Sequence, residues 1–262
     1  MNDIQWTVVD TFTDKIFHGE PIAVCSLQET LNDELLHAIA LEHHYSETVF
    51  LQSLDSAWWF RSFNAQGEVF SQGNGLLAAA HVCRQMQKIP SQNIEIKTVL
   101  GGMKILFHND RIYLEYPHIQ VQPEKIPENF YDFFSIRPLE VLQNGPDVVA
   151  VFDSPEKVVQ CQVQVAAFRN LISGTLVMTA KGGDWDIYCR CFTPRVTLQE
   201  ETATPAIFSR LFYWWSQRLK DKTQLGFQQG LMRRSEIHVW TQGAKCYVGG
   251  YARSYFQGQL LL

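Results

Sequence analysis

The sequence predicts a strand-rich α+β protein of two similar domains, each curling a sheet around one central helix. Three observations in the 262 residues predict this: short β-branched or aromatic segments recur, each half holds one largely apolar helix, and a motif recurs about half a chain later. Arg61-Ser-Phe63 is matched by Arg190-Cys-Phe192, and the preceding Ser46-Glu47-Thr48 by Ser173-Gly174-Thr175. Such a long interval is typical of a duplicated domain, because solenoid repeats recur every ~20–50 residues.

The first half contains strand-like segments and two predicted helices. The strand-like segments are WTVVDTF, IAVCSL, TVFLQ, AWWFRSF, IEIKTV, KILFH and RIYLEYP. A helix is predicted over 32–43, where Asn32 can cap the chain and acids fill the first turn. A second is predicted from about Leu76 to Met86, and its mostly apolar surface predicts burial.

A proline-containing polar segment, residues 117–130, is predicted to link the domains. It places the domains at 1–118 and 119–262, with the last strands free to pack back on the first domain. The second half continues with strand-like DVVAVF, VVQCQVQVA, GTLVMTA and WDIYCRCF, a helix over about Ala206 to Lys220, and the strands SEIHVWT and KCYVGGYA.

Composition narrows the classes of function. Hydrophobic residues make up 46% and charged residues 19%, which is typical of a packed globular protein. A net charge of -5 without a basic patch argues against nucleic acid as a partner. No apolar stretch approaches the ~18 residues of a membrane span. The first residues lack signal-peptide features, and six cysteines are too sparse for a disulfide scaffold, so we expect a cytoplasmic protein with free thiols.

The loops that lead into the two apolar helices are the candidate ligand sites. They are Phe70 to Ala80 and Leu198 to Phe208. In the first, Gly73-Asn74-Gly75 would let a ligand approach the backbone closely. A helix N-terminus offers unpaired N–H groups and a positive dipole end, which suits a small carboxylate. A plain turn with a helix cap is the alternative for the same residues.

Glu47 is the candidate acid. It lies between a predicted helix and a predicted strand. It is either a solvated turn residue or an acid held over a cavity. The second copy has Gly174 at the matching position. That difference favours a role specific to the first copy, although chance divergence would produce it too.

Several segments resemble the PhzF-like proteins of phenazine biosynthesis. They are VVDTFTDKIFHGEPIAVC, HYSETVFL, EVFSQGNGLLAAAHV, RCFTPRVTLQEETAT and QGLM with the following SEI, and they span nearly the whole chain in order. The resemblance implies the diaminopimelate epimerase-like fold, with two β-barrel-like sheets, each around a central helix, and an active site in the cleft between the domains. It also implies isomerisation of a small carboxylate without cofactor or metal, in biosynthesis.

The resemblance assigns general acid–base catalysis to Glu47. It assigns substrate binding to eight residues of the Ser-Glu-Thr motif and the two loops: Ser46, Gly73, Asn74, Gly75, Glu201, Thr204, Pro205 and Ala206. Some depart from the family pattern. Asn74 replaces a histidine and cannot titrate, Glu201 replaces an aspartate, Pro205 replaces a glycine and removes an N–H, and Ala206 replaces a serine.

Two hypotheses follow from these residues. In the first, the protein is an isomerase in which Glu47 removes a proton beside a carboxylate and returns it elsewhere. In the second, it is a small-molecule-binding protein on the same fold whose catalysis has lapsed, because residues at the helix entrances have been replaced. A homodimer is a further expectation, with Trp59 as the outward-facing residue of the Trp58-Trp59 pair.

Overall fold

The chain folds into two units. A computed structural model describes residues 4–54, 57–70, 73–87, 92–120, 123–201, 205–220 and 222–262. The first unit comprises Met1–Glu115 and Gly249–Leu262, and the second comprises Tyr116–Val248. Among the described residues, no helix is both long enough and apolar enough to cross a membrane.

The first unit combines a mixed sheet with two helices. Its strands are β1 Ile4–Thr11, β2 Glu20–Leu27, β3 Thr48–Leu54, β4 Ala57–Asn64, β5 Gly67–Glu68, β6 Asn93–Thr98, β7 Gly101–His108 and β8 Arg111–Pro117, whose last two residues enter the second unit. Its helices are α1 Asp33–His43 and α2 Asn74–Gln87. Strands β2 and β3 are parallel across α1, and β4 and β6 are parallel across α2.

The second unit repeats this arrangement. Its strands are β9 Glu124–Lys125, β10 Glu140–Asn144, β11 Asp147–Phe152, β12 Leu176–Lys181, β13 Ile187–Phe192, β14 Glu200–Glu201, β15 Gln224–Gln229, β16 Ser235–Gln242 and β17 Lys245–Gly250, which ends in the first unit. Its α-helices are α3 Pro155–Gln160 and α4 Pro205–Arg218. Strands β11 and β12 are parallel across α3, and β13 and β15 are parallel across α4. The last strand, β18 Ala252–Leu260, pairs antiparallel with β1 in the first unit.

The repeated Arg-x-Phe motif has the same structure in both units. Arg61 on β4 pairs with Glu68 on β5, with Nε 2.7 Å from Oε1. Arg190 on β13 pairs with Glu200 on β14, with Nε 2.9 Å from Oε2. Each guanidinium also lies over the phenylalanine two residues later. The internal sequence repeat therefore corresponds to the same Arg–Glu ion pair and the same arginine–phenylalanine contact in both units.

The helices follow from local sequence signals and from burial. Asn32 caps α1 by accepting the Leu35 N–H at 2.9 Å, and the helix ends at His44, whose φ is 53°. Helix α2 packs on β1, β2, β3, β4, β6 and β18, which makes it the central helix of its unit. In α4 the aromatic pair Trp214 and Trp215 is buried, as expected for core residues.

One strand prediction was wrong. The segment VVQCQVQVA, residues 158–166, was predicted to be extended, but it contains the end of α3 and the start of the 3-10 turn Val165–Phe168. Ser154 starts the helix by accepting the Lys157 N–H, and Pro155 occupies its first position. These start signals precede the apolar run, so its β-branched composition is misleading.

The segment predicted as a linker holds β9 and begins the 3-10 turn Glu128–Phe133.

Candidate active site

Glu47 is buried directly before β3, which begins at Thr48. Its residue is only 6% exposed, so it is not a solvated turn residue. The Gly75 N–H donates to Glu47 Oε2 at 3.2 Å. Two segments 28 residues apart in the sequence therefore meet at this carboxylate.

Gly75 is where the backbone of α2 approaches the carboxylate most closely. A Cβ on Gly75 would lie 2.2 Å from Glu47 Oε1 and 2.6 Å from its Cδ. Only glycine fits here while Glu47 keeps this position. The Gly73-Asn74-Gly75 turn was expected to let a ligand approach the backbone closely. In the structure, the group that approaches the backbone of Gly75 is the side chain of Glu47.

The carboxylate of Glu47 lies against the first turn of a 14-residue helix. Asn74 is the first residue of α2, and the Gly73 carbonyl accepts the Leu77 N–H at 3.1 Å, so Gly73 precedes the helix as its cap. The partial positive charge of a helix N-terminus stabilises a carboxylate at this place. The contact therefore also serves as a tertiary cap of α2, independently of any catalysis.

Two buried polar atoms belong to the immediate neighbours of this contact. Asn74 Oδ1 and Thr48 Oγ1 have no hydrogen-bond partner within the described part of the chain. Buried polar atoms are nearly always paired, so a ligand or water is the ordinary partner for such atoms. Thr48 was not among the substrate-binding residues inferred from sequence, and its only sequence signal is its place directly after Glu47.

Ser46 makes a different contact from the one its motif suggests. It is exposed, and its Oγ donates to Glu20 Oε1 at 2.5 Å. Glu20 opens β2, so this bond ties the end of the α1 connection to the neighbouring strand. Ser46 thus secures the segment that carries Glu47.

The candidates of the second unit lie around the start of α4. Glu201 is half-buried on β14, and its carbonyl accepts from Gln229 Nε2 at 2.6 Å. Pro205 is the buried first residue of α4, where a missing N–H costs the helix nothing but removes one donor. Ala206 is in α4, whereas its side chain and the whole of Thr204 lie outside the described residues.

A buried ion pair explains why the second copy has glycine where the first has Glu47. Arg210 Nε lies 2.9 Å and Nη2 2.5 Å from Asp147 Oδ2, and Asp147 Oδ1 accepts the Thr175 N–H at 2.9 Å. A Cβ on Gly174 would lie 2.3 Å from that Oδ1. Gly174 is therefore required by Asp147, and the difference between the copies does not by itself indicate a function for Glu47.

The cysteines are free and buried. All six lack a disulfide partner. Burial raises the pKa of Cys25, Cys83, Cys191 and Cys246, so these thiols are held protonated. Across the described ranges, no group of three His, Cys, Asp or Glu side chains has the arrangement of a metal site.

Comparison with known proteins identifies relatives over the whole chain. The profile of the PhzC-PhzF family, described as phenazine biosynthesis-like protein, matches residues 9–258. An uncharacterized isomerase of Pseudomonas aeruginosa is 30% identical over 254 residues, which cover 97% of both chains. A PhzF-family crystal structure from Enterococcus faecalis matches with a TM-score of 0.93 at 23% identity, covering 99% of this chain and 100% of that one. A predicted epimerase of P. aeruginosa matches with a TM-score of 0.73 at 18% identity over 99% of each chain. The predicted epimerase-like fold is thereby confirmed.

Proposed function

The chain belongs to the phenazine biosynthesis-like protein family, and from that premise we propose that it is an isomerase that moves a proton on a small carboxylate. The observation that carries the proposal is the buried Glu47 carboxylate, held against the first turn of α2 by the Gly75 N–H. The P. aeruginosa relative named as an isomerase supports the reaction class. Catalysis by Glu47 and the choice of substrate belong to the proposal.

The proposed reaction uses one acid–base residue, whose proton exchanges with solvent before a proton is returned to the substrate. The Glu47 carboxylate removes a proton from a carbon next to the substrate carboxylate, and the C–H electron pair moves into an enolate-like anion. Glu47, now protonated and in exchange with solvent, delivers a proton to another carbon of the same molecule. Substrate and product are isomers, so atoms and electrons balance without a co-reactant. Proton transfer by one positioned side chain contributes about 10²–10⁴-fold to a rate.

Neighbouring polar groups have proposed roles in orientation. Asn74 Oδ1 and Thr48 Oγ1 are buried acceptors on the residues next in sequence to Gly75 and Glu47, and they suit an amine or hydroxyl on the substrate. The first-turn N–H groups of α2 suit negative charge that develops during proton removal. Ser46, Gly73, Glu201, Thr204, Pro205 and Ala206 stay predicted substrate-binding residues.

The decisive variant is Glu47→Gln, because it separates catalysis from capping. Glutamine keeps an oxygen that accepts the Gly75 N–H, so the α2 contact survives, but it cannot carry a proton. The protein is incubated in heavy water with a panel of small unsaturated and amino carboxylates, and deuterium uptake is followed by mass spectrometry. We expect uptake into one compound, falling at least about 100-fold in the variant.

A matched control is Glu42→Gln, an exposed acid near the end of the same helix that precedes Glu47. We expect it to retain full uptake and unchanged unfolding. Full uptake in Glu47→Gln would remove Glu47 from the mechanism and leave it as a cap of α2.

A binding protein without turnover is the second candidate. Asn74 cannot titrate, and Pro205 withholds an N–H from the first turn of α4. Retention of one carboxylate by the protein, with no deuterium uptake at any pH from 5 to 9, would favour this function. Uptake abolished by Glu47→Gln would exclude it.

A further inference from the structure

Three arginines of the first unit lie near the C-terminal end of α2, away from the first turn that contacts Glu47. Arg84 is in the last turn of α2, Arg111 is the first residue of β8, and Arg253 is on β18. Arg84 Nη1 lies 3.4 Å from the Asn109 carbonyl oxygen, so this side chain reaches the turn that precedes Arg111. The three guanidinium groups therefore come from three separate segments of the chain.

Two of these side chains share one aromatic ring. The Cζ atoms of Arg111 and Arg253 lie 4.9 Å and 5.7 Å from the centre of the Tyr251 ring. Arg111 also forms a hydrogen bond with the side chain of Tyr113. A tyrosine ring attracts a cation but carries no net charge, so these contacts leave two guanidinium groups that repel each other.

His81 connects Arg84 to the other two arginines. Burial lowers the pKa of His81 to about 4, and the positive charges of Arg253 and Arg84 also oppose its protonation. Both guanidinium groups are therefore close enough to act on one imidazole. The side chains that pair with this imidazole, Ser254 and Gln85, are neutral and do not offset the positive charge.

Other half-buried arginines of this protein have carboxylate partners. Six arginines in the described ranges are half-buried: Arg61, Arg84, Arg111, Arg190, Arg210 and Arg253. Arg61, Arg190 and Arg210 each form an ion pair with a carboxylate. None of the remaining three has an ion pair with a described carboxylate. Arg111 Nε is moreover buried without a hydrogen-bond partner among the described residues. The arginines that lack a carboxylate are thus the ones that lie together.

A buried acid on the neighbouring strand does not supply the missing partner. Asp10 lies directly across from Arg253 in the β1–β18 pair, but its Oδ2 accepts the Phe17 N–H at 2.6 Å. Arg253 Nε instead donates to the backbone carbonyl oxygen of Asp14 at 3.1 Å. The helix dipole stabilises a cation at the place of Arg84, whereas Arg253 lies on a strand and has no such stabilisation.

We propose that the arginine cluster, Arg84, Arg111 and Arg253, binds a phosphate-type oxyanion, either inorganic or as the phosphoryl group of a small soluble molecule. Planar guanidinium groups donate paired hydrogen bonds to phosphate oxygens, and a bound polyanion offsets the repulsion among the three cations. A small anion fits better than a nucleic acid, because these side chains are half-buried and the whole chain has a net charge of -5. The site does not depend on proton transfer by Glu47.

The proposal is tested by calorimetric titration of the full chain with inorganic pyrophosphate at low ionic strength. We expect saturable binding that weakens at least about 10-fold in Arg253→Gln, because a hydrogen bond between charged groups is lost. Arg253→Lys keeps the charge without the paired donors, so it should weaken binding as well. Arg169→Gln removes the same charge from an exposed position in the second unit and should bind as the parent protein does.

A second measurement locates the anion on the protein. The imidazole C–H signals of His81, identified by their loss in His81→Gln, should shift in NMR spectra as pyrophosphate is added. Arg84→Gln should require more pyrophosphate for the same shift.

Absence of saturable binding at millimolar pyrophosphate would overturn the proposal. Equal weakening in Arg169→Gln, or full affinity in both Arg253→Gln and Arg84→Gln, would do the same. Tighter binding to a short single-stranded oligonucleotide or to phosphatidate vesicles than to pyrophosphate would identify an extended anionic surface as the partner, and would also overturn it.

Discussion

Gly75 shows how a single missing methyl group can determine the position of a buried carboxylate, that of Glu47. On helix propensity alone, Gly75→Ala would stabilise α2 by about 1 kcal/mol. Its Cβ would instead lie 2.2 Å from Glu47 Oε1 and displace that side chain. Because a displacement of about 1 Å can cost 10²-fold in rate, we expect deuterium uptake to fall by about that factor.

Gly174→Ala is the matched comparison for this variant, since its Cβ would meet the Asp147 carboxylate in the second unit at 2.3 Å. We expect it to lower the urea midpoint and to retain uptake at low denaturant. Equal uptake in Gly75→Ala and the parent protein would show that the position of Glu47 does not matter to turnover.

His81 lies within the largely apolar helix α2 and has a hydrogen-bond partner on β18. Its Nε2 lies 3.0 Å from Ser254 Oγ, and burial lowers its pKa to about 4, with Arg84 and Arg253 also opposing protonation. The unfolded chain therefore binds a proton between pH 6.5 and 4 that the folded chain does not. Stability should fall as the pH drops through that window and stay level above it.

The measurement is the free energy of unfolding in urea at several pH values, for the parent protein and His81→Gln. At about 1.4 kcal/mol for each pKa unit, His81 accounts for up to about 3 kcal/mol of the pH dependence. We expect that part to vanish in the variant, whose amide can still pair with Ser254. Parallel curves for the two proteins would contradict a half-buried His81 that stays neutral in the folded chain.

Among the elements, β11 and α4 are joined by the pair Asp147 and Arg210, whose side chains are only 3% and 15% exposed. Removing one partner of a buried pair leaves an uncompensated charge, so Arg210→Met should cost about 3–5 kcal/mol. The double variant Asp147→Asn with Arg210→Met removes both charges and keeps an oxygen for the Thr175 N–H. We expect it to recover most of that loss in urea unfolding.

Arg61→Met offers a control on a less buried ion pair, that of Arg61 with Glu68 in the first unit. The side chains of Arg61 and Glu68 are 32% and 23% exposed, so water can solvate the charge that is left unpaired. The loss in the free energy of unfolding should therefore be smaller. A smaller loss in Arg210→Met than in Arg61→Met would refute the importance of burial for the β11–α4 connection.

The loop between β1 and β2, which carries part of the family resemblance, has a structural explanation. Asp10 Oδ2 accepts the Phe17 N–H at 2.6 Å. Gly19 has φ +61°, and a Cβ there would lie 2.0 Å from the Thr11 carbonyl oxygen. These residues shape a turn, so the strength of a family motif does not locate its chemistry.

For the whole molecule, the homodimer stays a prediction. Trp58 is buried and Trp59 is 44% exposed, as strand alternation predicted, but Lys97 Nζ already lies 5.1 Å from the centre of the Trp59 ring. Light scattering should give twice the monomer mass if the expectation holds. Trp59→Ala should reduce that mass if this ring is in the interface, and a parent protein that is monomeric at working concentration would end the idea.

Much of the architecture was predictable because it rests on signals close together in the chain. The Asn32 cap located α1, largely apolar segments located α2 and α4, and the Arg-x-Phe repeat revealed the duplication. The wrong strand prediction at α3 also has a local cause, because the helix start signals Ser154 and Pro155 outweigh the strand preference of the β-branched residues that follow. The family resemblance assigned the acid–base role to Glu47, but it did not describe the residues that contact its side chain.

The contacts around Glu47 depend on which distant segments of the chain the tertiary fold brings together. The sequence could not show that Glu47 is buried against Gly75, that Gly174 is glycine because of Asp147, or that Arg84 and Arg253 lie close to the same histidine, His81. Local preferences act over a few residues, whereas these contacts join segments separated by tens to hundreds of residues. Their geometry follows from strand register and helix packing, which bring distant side chains within bonding distance.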